Sequence, residues 1–198
     1  AFMASAAETA HQGGLSVHLD GARIFNAAVD QGRPVAELVE MVESVTFCLS
    51  KGLCAPVGSV LCGSQAFIEK AHRIRKQLGG GMRQAGVLAA AGVVALEEMV
   101  DRLREDHAHA QALAEGLSTI PGIRLDKGSP NTNMVYISLA PETGLDAKLL
   151  SDRLREQGVL AGITGPKHFR LVCHYWIRDE HISRVIKAFQ RVLTQKSY

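Results

Sequence analysis

The stretches LSVHLDGAR at residues 15–23 and SVTFCLSKG at residues 44–52 decide the fold of this 198-residue chain. In the first stretch apolar residues alternate with polar ones up to Asp20, which predicts a short strand. The second is rich in β-formers and predicts a buried strand that ends just before Lys51. Helical patterns separate and follow these strands, so we predict an α/β protein.

Asp20 and Lys51 are each placed at the end of a predicted strand. In open α/β sheets, functional groups gather at the carboxyl ends of strands. A lysine amine there can bind an aldehyde, and a carboxylate can keep a pyridine nitrogen protonated, which are the two groups that pyridoxal-phosphate chemistry needs. A Ser-Lys-Gly tripeptide by itself is more typical of a surface lysine in a turn. On the residues alone, both interpretations stay open.

The composition excludes several classes of protein. Hydrophobic residues make up 46% and charged residues 21% of the chain, as in ordinary globular proteins. The net charge of +2 is too small to indicate a nucleic acid or membrane partner, and no apolar run reaches the roughly 18 residues of a membrane span. The cysteines are not at zinc spacing, so we predict no metal site and reduced thiols in an intracellular, cytoplasmic protein. They are Cys48, Cys54, Cys62 and Cys173.

Glycines and prolines, which interrupt regular secondary structure, divide the rest of the chain into predicted helices and strands. The clearest are Gly32–Pro34 and the triple glycine at residues 79–81. Helices are predicted at Arg23–Asp30, Ala36–Val42, Gln65–Gln77, Met82–Leu117, Asp146–Gln157 and Asp179–Thr194, and further strands at Gly58–Cys62, Ile123–Leu125, Asn133–Leu139 and Phe169–His174.

Three ordered motifs carry a resemblance to a known family. They are HLDGAR at residues 18–23, SKGL at 50–53 followed by APVGS at 55–59, and GGGMRQ at 79–84. Together they resemble the signature of the L-threonine aldolases of low specificity, which are pyridoxal-phosphate (PLP) enzymes of the aspartate-aminotransferase type (fold type I). Residues 120–198 fit less specifically, with FRLVCH at 169–174 as the anchor.

The resemblance implies a role for each matching residue. Lys51 matches the Schiff-base lysine, Asp20 the aspartate that pairs with the pyridine nitrogen, and Arg23 the arginine near the ring's phenolate oxygen. Arg170 matches the arginine that binds the substrate carboxylate. In each case a structural role remains an alternative: Arg23 as an exposed helix residue, and Arg170 as a strand arginine paired within its own lobe.

Lys76 and Arg83 flank the triple glycine. In the family this stretch reaches the cofactor phosphate or the active site of a neighbouring subunit. The alternative is a solvated helix face. A structural role is the more common one for His18 and His174, and His107 and His109 are interpreted as solvated.

The resemblance also implies a domain organisation and an activity. Residues 1–110 are predicted to be the C-terminal part of the PLP-binding large domain with a linking helix, and residues 111–198 a small α+β domain. The expected reaction is cleavage of L-threonine or L-allo-threonine to glycine and acetaldehyde, by a homodimer or homotetramer, within threonine catabolism and glycine biosynthesis. Another fold type I lyase or transaminase, or a truncated non-catalytic homologue, remains an alternative.

The sequence departs from the family pattern in two ways. Cys54 occupies a position where a small residue such as glycine is expected. The family's members are also much longer, and their upstream part supplies the side chain that stacks on the pyridine ring and the turn that binds the phosphate. We therefore expect that the chain begins inside a larger fold, at the end of a helix around Met3–His11.

Overall fold

A computed structural model describes residues 2–194 and divides the chain into two compact units between Arg102 and Leu103. The predicted domain boundary between residues 110 and 111 falls a few residues later, inside a helix of the second unit. Residues 1 and 195–198 of the two predicted domains lie outside the described part of the chain.

The first unit holds a three-stranded sheet with the order β1-β2-β3. Strands β1 and β2 are parallel, whereas β2 and β3 are antiparallel. The elements are α1 (Phe2–Gln12), β1 (His18–Asp20), α2 (Ile24–Gln31), α3 (Val35–Leu38), β2 (Ser44–Cys48), β3 (Ser59–Gly63), α4 (Gln65–Gln77) and α5 (Gly86–Glu98).

Helix α2 contacts this sheet through an aromatic pair. Phe25 of α2 meets Phe47 of β2 edge to face, with ring centroids 5.2 Å apart. The helix ends at Gly32, whose left-handed conformation (φ +60°) closes the last turn. Because α2 follows β1 directly, this packing fixes the end of β1, where Asp20 lies.

The second unit is an antiparallel sheet with the order β4-β5-β7-β6, packed against helices. Phe169 and Phe189, both fully buried, meet edge to face at 6.4 Å in its core. The elements are α6 (Leu103–Ser118), β4 (Ile123–Leu125), β5 (Met134–Leu139), α7 (Ala147–Glu156), β6 (Gly162–Gly165), β7 (His168–Val172) and α8 (Asp179–Thr194).

Strand β7 shows why the second sheet has one buried and one open face. Phe169 and Leu171 are buried, whereas His168 and Arg170, which alternate with them along the strand, are exposed. Successive side chains of a strand point to opposite faces, so the face that carries Arg170 is the one turned away from the apolar core.

Some predicted elements differ from the structure. The single helix predicted at Met82–Leu117 is wrong: α5 ends at Glu98, and α6 begins at Leu103 after a turn. Strand β6 was not predicted, because Ile163 is its only large apolar residue and no alternation is visible. The first strand and α3 are shorter than predicted. The helix at Gln65–Gln77, the strand at Ile123–Leu125 and the helix at Asp179–Thr194 are confirmed with the predicted bounds.

No helix within residues 2–194 combines the length and the apolar character that a membrane crossing requires.

Candidate cofactor and substrate site

The first unit brings Asp20 and Lys51 to the same edge of its sheet. Asp20 is the last residue of β1 and is the register partner of Thr46 on β2. Lys51 follows the end of β2 at Cys48 after only two residues. Because β1 and β2 are parallel, their carboxyl ends share one edge, as the sequence predicts for a functional site.

Lys51 lies on a tight, hydrogen-bonded turn. The Cys54 N–H donates to the Lys51 carbonyl at 3.0 Å, and the Ala55 N–H donates to the Leu49 carbonyl at 3.0 Å. Cys54 itself has φ +61°, a left-handed conformation that favours glycine. This explains physically why glycine is expected there. The Lys51 side chain is exposed, and within residues 2–194 its amine has no hydrogen bond or ion pair.

The Asp20 carboxylate is partly free. Its Oδ1 accepts a hydrogen bond from the Ala22 N–H at 3.1 Å, and no partner for Oδ2 is found in the part of the chain that the structure describes. The next residue, Gly21, turns the chain away from the strand and donates its N–H to the Thr46 carbonyl at 2.8 Å.

Arg23 stands immediately before α2, with a non-helical backbone. It is half-buried, and its Nε is a buried atom without a hydrogen-bond partner among the described residues. The alternative of an ordinary exposed helix residue therefore does not fit. An unpartnered buried N–H beside a carboxylate-bearing strand end is suited to an anionic oxygen.

Lys76 is in the last turn of α4, and Arg83 lies in the loop before α5. Both side chains are exposed. A cavity of about 550 Å³ between α4 and the sheet is lined by Arg75 of α4 and by Ser59, which begins β3 beside the end of β2. The end of α4 thus returns toward the edge where β2 ends. No recorded contact joins Lys76 or Arg83 to Asp20 or Lys51 within residues 2–194.

Arg170 lies in the second unit on the open face of the sheet. It is the register partner of Tyr136 on β5 and of Gly162 on β6. Its guanidinium is exposed and makes no ion pair with any residue that the structure describes. Among residues 103–194, the structure thus shows no partner for the alternative of an arginine paired within its own lobe.

Two histidines have specific partners in the structure: His18 in keeping with the structural role expected of it, and His109 against the expectation that it is solvated. The His18 ring contacts two hydroxyls of β2, Ser44 and Thr46. The signal in the sequence was the spacing of His18 and Asp20, which places both on one face of a strand. His109 is not solvated: its side chain is 17% exposed, and its Nε2 lies 3.2 Å from Asp179.

Groups whose pKa is shifted by their surroundings lie outside this site, among them Cys173 and Glu43. Burial, helped by the charge of Asp106, raises the pKa of Cys173 to about 12, so this residue is a neutral thiol near neutral pH. A hydrogen bond from the Val17 N–H lowers the pKa of Glu43, which also pairs with His11 at 3.0 Å and so ties α1 to the sheet. None of the four cysteines forms a disulfide with another described residue.

The residues at the edge of the first sheet fit pyridoxal phosphate. An unpaired lysine amine, a carboxylate with one open oxygen and an orphaned guanidinium N–H are the groups that an aldehyde, a pyridine nitrogen and a phenolate oxygen would use. Within residues 2–194, no cluster of three or more histidine, cysteine or carboxylate side chains could hold a metal ion.

Comparisons with known proteins agree with the motifs. The model of the beta-eliminating lyase family matches residues 1–140. Low-specificity L-threonine aldolase 1 of Arabidopsis thaliana is 45% identical over 186 residues, which are 94% of this chain and 52% of that protein. The low specificity L-threonine aldolase of Escherichia coli is 39% identical over 194 residues, which are 98% of this chain and 56% of that protein. The predicted resemblance is thereby confirmed, and the chain spans about half the length of the curated relatives it matches.

Solved structures agree on the fold. A putative L-allo-threonine aldolase from Listeria monocytogenes superposes with a TM-score of 0.75 at 20% identity, covering 93% of this chain and 54% of that one. The predicted fold class, a partial large domain of fold type I with a small α+β lobe, is confirmed. On the match of its first 140 residues, the chain belongs to the beta-eliminating lyase family.

Proposed function

We propose that this chain forms part of a PLP-dependent L-threonine aldolase, a lyase that cleaves L-threonine or L-allo-threonine to glycine and acetaldehyde. The observation that supports the proposal is that Asp20 ends β1 and Lys51 follows β2 at the same edge of the first sheet, with no partner for the Lys51 amine or for Asp20 Oδ2 among residues 2–194. The names of the relatives, low-specificity L-threonine aldolases, supply the substrate class.

Each residue of the edge has a distinct task in this proposal. When bound, the cofactor supplies an electron-poor pyridinium ring, which lets the bond between Cα and Cβ of an amino acid break. The Lys51 amine would hold the cofactor at its aldehyde carbon. The open oxygen of Asp20 holds the proton on the pyridine nitrogen, and the orphaned Nε–H of Arg23 donates to the phenolate oxygen. Lys76 and Arg83 supply positive charge for the phosphate.

Arg170 is proposed to bind the substrate carboxylate. A guanidinium offers two parallel N–H donors, which fix both the position and the orientation of a carboxylate. The Arg170 side chain is exposed and has no ion pair with residues 103–194, so binding a substrate carboxylate breaks no ion pair that the structure describes.

We also propose that the protein acts as a homo-oligomer in the cytoplasm, in threonine breakdown and glycine formation. Free cysteines are typical of a reducing compartment. Support for assembly comes from apolar side chains around the glycine-rich loop that are largely exposed in the first unit, because such surfaces mark contacts with further protein. They are Leu78 at 82%, Met82 at 60% and Val87 at 72% exposure.

The decisive experiment has a covalent and a chemical readout. The protein is mixed with PLP, reduced with borohydride and digested, and the peptide that carries the pyridoxyl group is identified by mass spectrometry. We expect the label on Lys51 in the wild type, none in Lys51→Arg, and the wild-type result in Lys70→Arg, which changes an exposed lysine of α4. A label spread over several lysines contradicts the proposed role of Lys51.

The products decide between reaction types. Incubation with L-threonine is expected to release acetaldehyde and glycine in equal amounts. A keto acid would instead indicate a transaminase of the same fold, and an intact substrate together with unlabelled Lys51 would indicate a non-catalytic chain.

A further inference from the structure

The ring of His18 ties the first two strands together. Its Nδ1 lies 2.9 Å from the Ser44 hydroxyl and its Nε2 lies 3.3 Å from the Thr46 hydroxyl, both on β2. A neutral imidazole has one donor and one acceptor nitrogen, and a hydroxyl can act in either role. Both ring nitrogens are therefore satisfied without a charge on the ring.

The contacts of His18 lie close to Asp20 on the paired strands. His18 and Asp20 are two residues apart on β1, so their side chains project from the same face of the strand. The register of the parallel pair sets Ser44 opposite His18 and Thr46 opposite Asp20. One of the two hydroxyls that His18 contacts thus belongs to the residue beside the carboxylate.

Strand β1 is short, and backbone hydrogen bonds flank it at both ends: the Glu43 N–H donates to the Val17 carbonyl at 3.1 Å, and the Gly21 N–H donates to the Thr46 carbonyl at 2.8 Å. The strand comprises only three residues, and within the described part of the chain it pairs with β2 alone, through three register pairs. In so short a strand, side-chain contacts with the neighbouring strand add to these bonds in fixing the register. The two contacts of His18 span the length of that ladder.

We infer that His18 is a positioning residue that sets Asp20 for the cofactor. By fixing β1 on β2, the imidazole holds the carboxylate at the edge where the turn of Lys51 begins. His18 and Asp20 are two residues, about 6.6 Å, apart along β1. Asp20 is the nearer of the two to the edge where the cofactor would bind, so His18 acts through Asp20 and not on the cofactor itself. This inference rests on the proposed function, because it assigns Asp20 to the pyridine nitrogen.

The first test needs no cofactor. Hydrogen exchange of the Gly21 amide, whose N–H donates to the Thr46 carbonyl, reports whether the end of β1 stays on β2. In the full chain we expect His18→Phe to speed this exchange about tenfold, and the near-isosteric Thr46→Val to speed it severalfold. Ser59→Ala, on β3 without a contact to His18, is the control and is expected to leave the exchange unchanged.

The second test separates positioning from general structure. With PLP bound, we expect His18→Phe to raise the cofactor's Kd about tenfold and to shift its visible absorbance maximum, because the carboxylate no longer holds the ring-nitrogen proton. His18→Gln places an amide near the position of Nε2 and is expected to restore the wild-type spectrum better than His18→Asn, which reaches only as far as Nδ1. Because His18→Phe already removes the contact with Thr46, adding Thr46→Val to it should change little beyond the effect of His18→Phe alone.

The outcomes distinguish this inference from the proposed function. If the wild type shows no borohydride label on Lys51, the proposed function fails, while the exchange of Gly21 still decides whether His18 holds the strand. If the wild type is labelled but His18→Phe and Thr46→Val keep the wild-type Kd and absorbance maximum, the positioning role of His18 is overturned. If the exchange of Gly21 is unaffected in both variants, it is overturned as well.

Discussion

The Gly21 N–H donates to the Thr46 carbonyl at 2.8 Å, which ties the residue after Asp20 to the strand that leads to Lys51. Gly21 is suited to this place by its size. A Cβ there would lie 3.1 Å from the Val45 side chain and 3.2 Å from the Thr46 carbonyl oxygen. Gly21 has no side chain, and both the turn that ends β1 and the close approach of β1 and β2 therefore depend on glycine at this position.

Gly21→Ala is expected to destabilise the first unit. The new methyl group would push against the Val45 side chain and the backbone of Thr46, and overpacking of this kind costs about 1–3 kcal/mol in the free energy of unfolding. Urea denaturation measures this change. Gly86→Ala is the matched control, because Gly86 begins α5 and an added Cβ meets nothing within 4 Å; it should be neutral or stabilising by up to about 1 kcal/mol. Equal effects of the two substitutions contradict the packing argument.

The turn of Lys51 offers a test of backbone strain at Cys54. With φ +61°, any side chain there is disfavoured relative to glycine. We expect Cys54→Gly to be more stable than Cys54→Ala by about 1 kcal/mol, since both lose the thiol and only alanine keeps the strain. Thermal unfolding of the two variants side by side measures the difference. A less stable glycine variant would show that the left-handed conformation is not retained.

The ends of several elements could be predicted because local chemistry sets them. Helix α4 starts after Ser64, whose side chain accepts a hydrogen bond from the Phe67 N–H, and it stops two residues before Gly79, which has φ +85°. Likewise, Asp146 caps α7 through the Leu149 N–H at 2.7 Å. Such signals lie within a few residues of each other in the chain, so a single sequence contains them.

The rest depends on contacts between distant residues. Nothing in the sequence marks the break at residues 99–102, which contains neither glycine nor proline, although Leu103 just after it is completely buried. The contact of His109 with Asp179 joins helices α6 and α8, and the contacts of His18 depend on the register of β1 and β2. Asp20 and Lys51 could be singled out as a candidate site because motifs and predicted strand ends coincide there. The contacts of His18 with β2 could not be predicted, because they depend on the register of the two strands.

Substitution of Arg170 is expected to weaken the binding of the substrate rather than the fold. Removing one member of a charge pair that forms on binding costs roughly 2–5 kcal/mol, so KM for L-threonine should rise by about 30-fold or more in Arg170→Ala. Arg170→Lys keeps the charge but loses the two-pronged geometry and should recover only part of the affinity. Arg124→Ala is the control, since Arg124 is an exposed arginine of the same sheet that pairs with Glu142. An unchanged KM in Arg170→Ala refutes the carboxylate role.

Cys173 provides a prediction for the second unit that is independent of the cofactor. Burial raises its pKa to about 12 from an ordinary value of 9.0. The folded state therefore holds the thiol proton more tightly than the unfolded state, and this contribution to stability is complete below about pH 9 and is lost as the pH rises toward 12. Cys173→Ala should flatten the fall in the free energy of unfolding over that range.

At pH 8.5, iodoacetamide should modify the exposed Cys62 and leave Cys173, which is 1% exposed, unmodified. Alkylation of both thiols at similar rates in the folded protein would mean that the end of β7 opens readily, and the buried thiol would then contribute no such pH dependence.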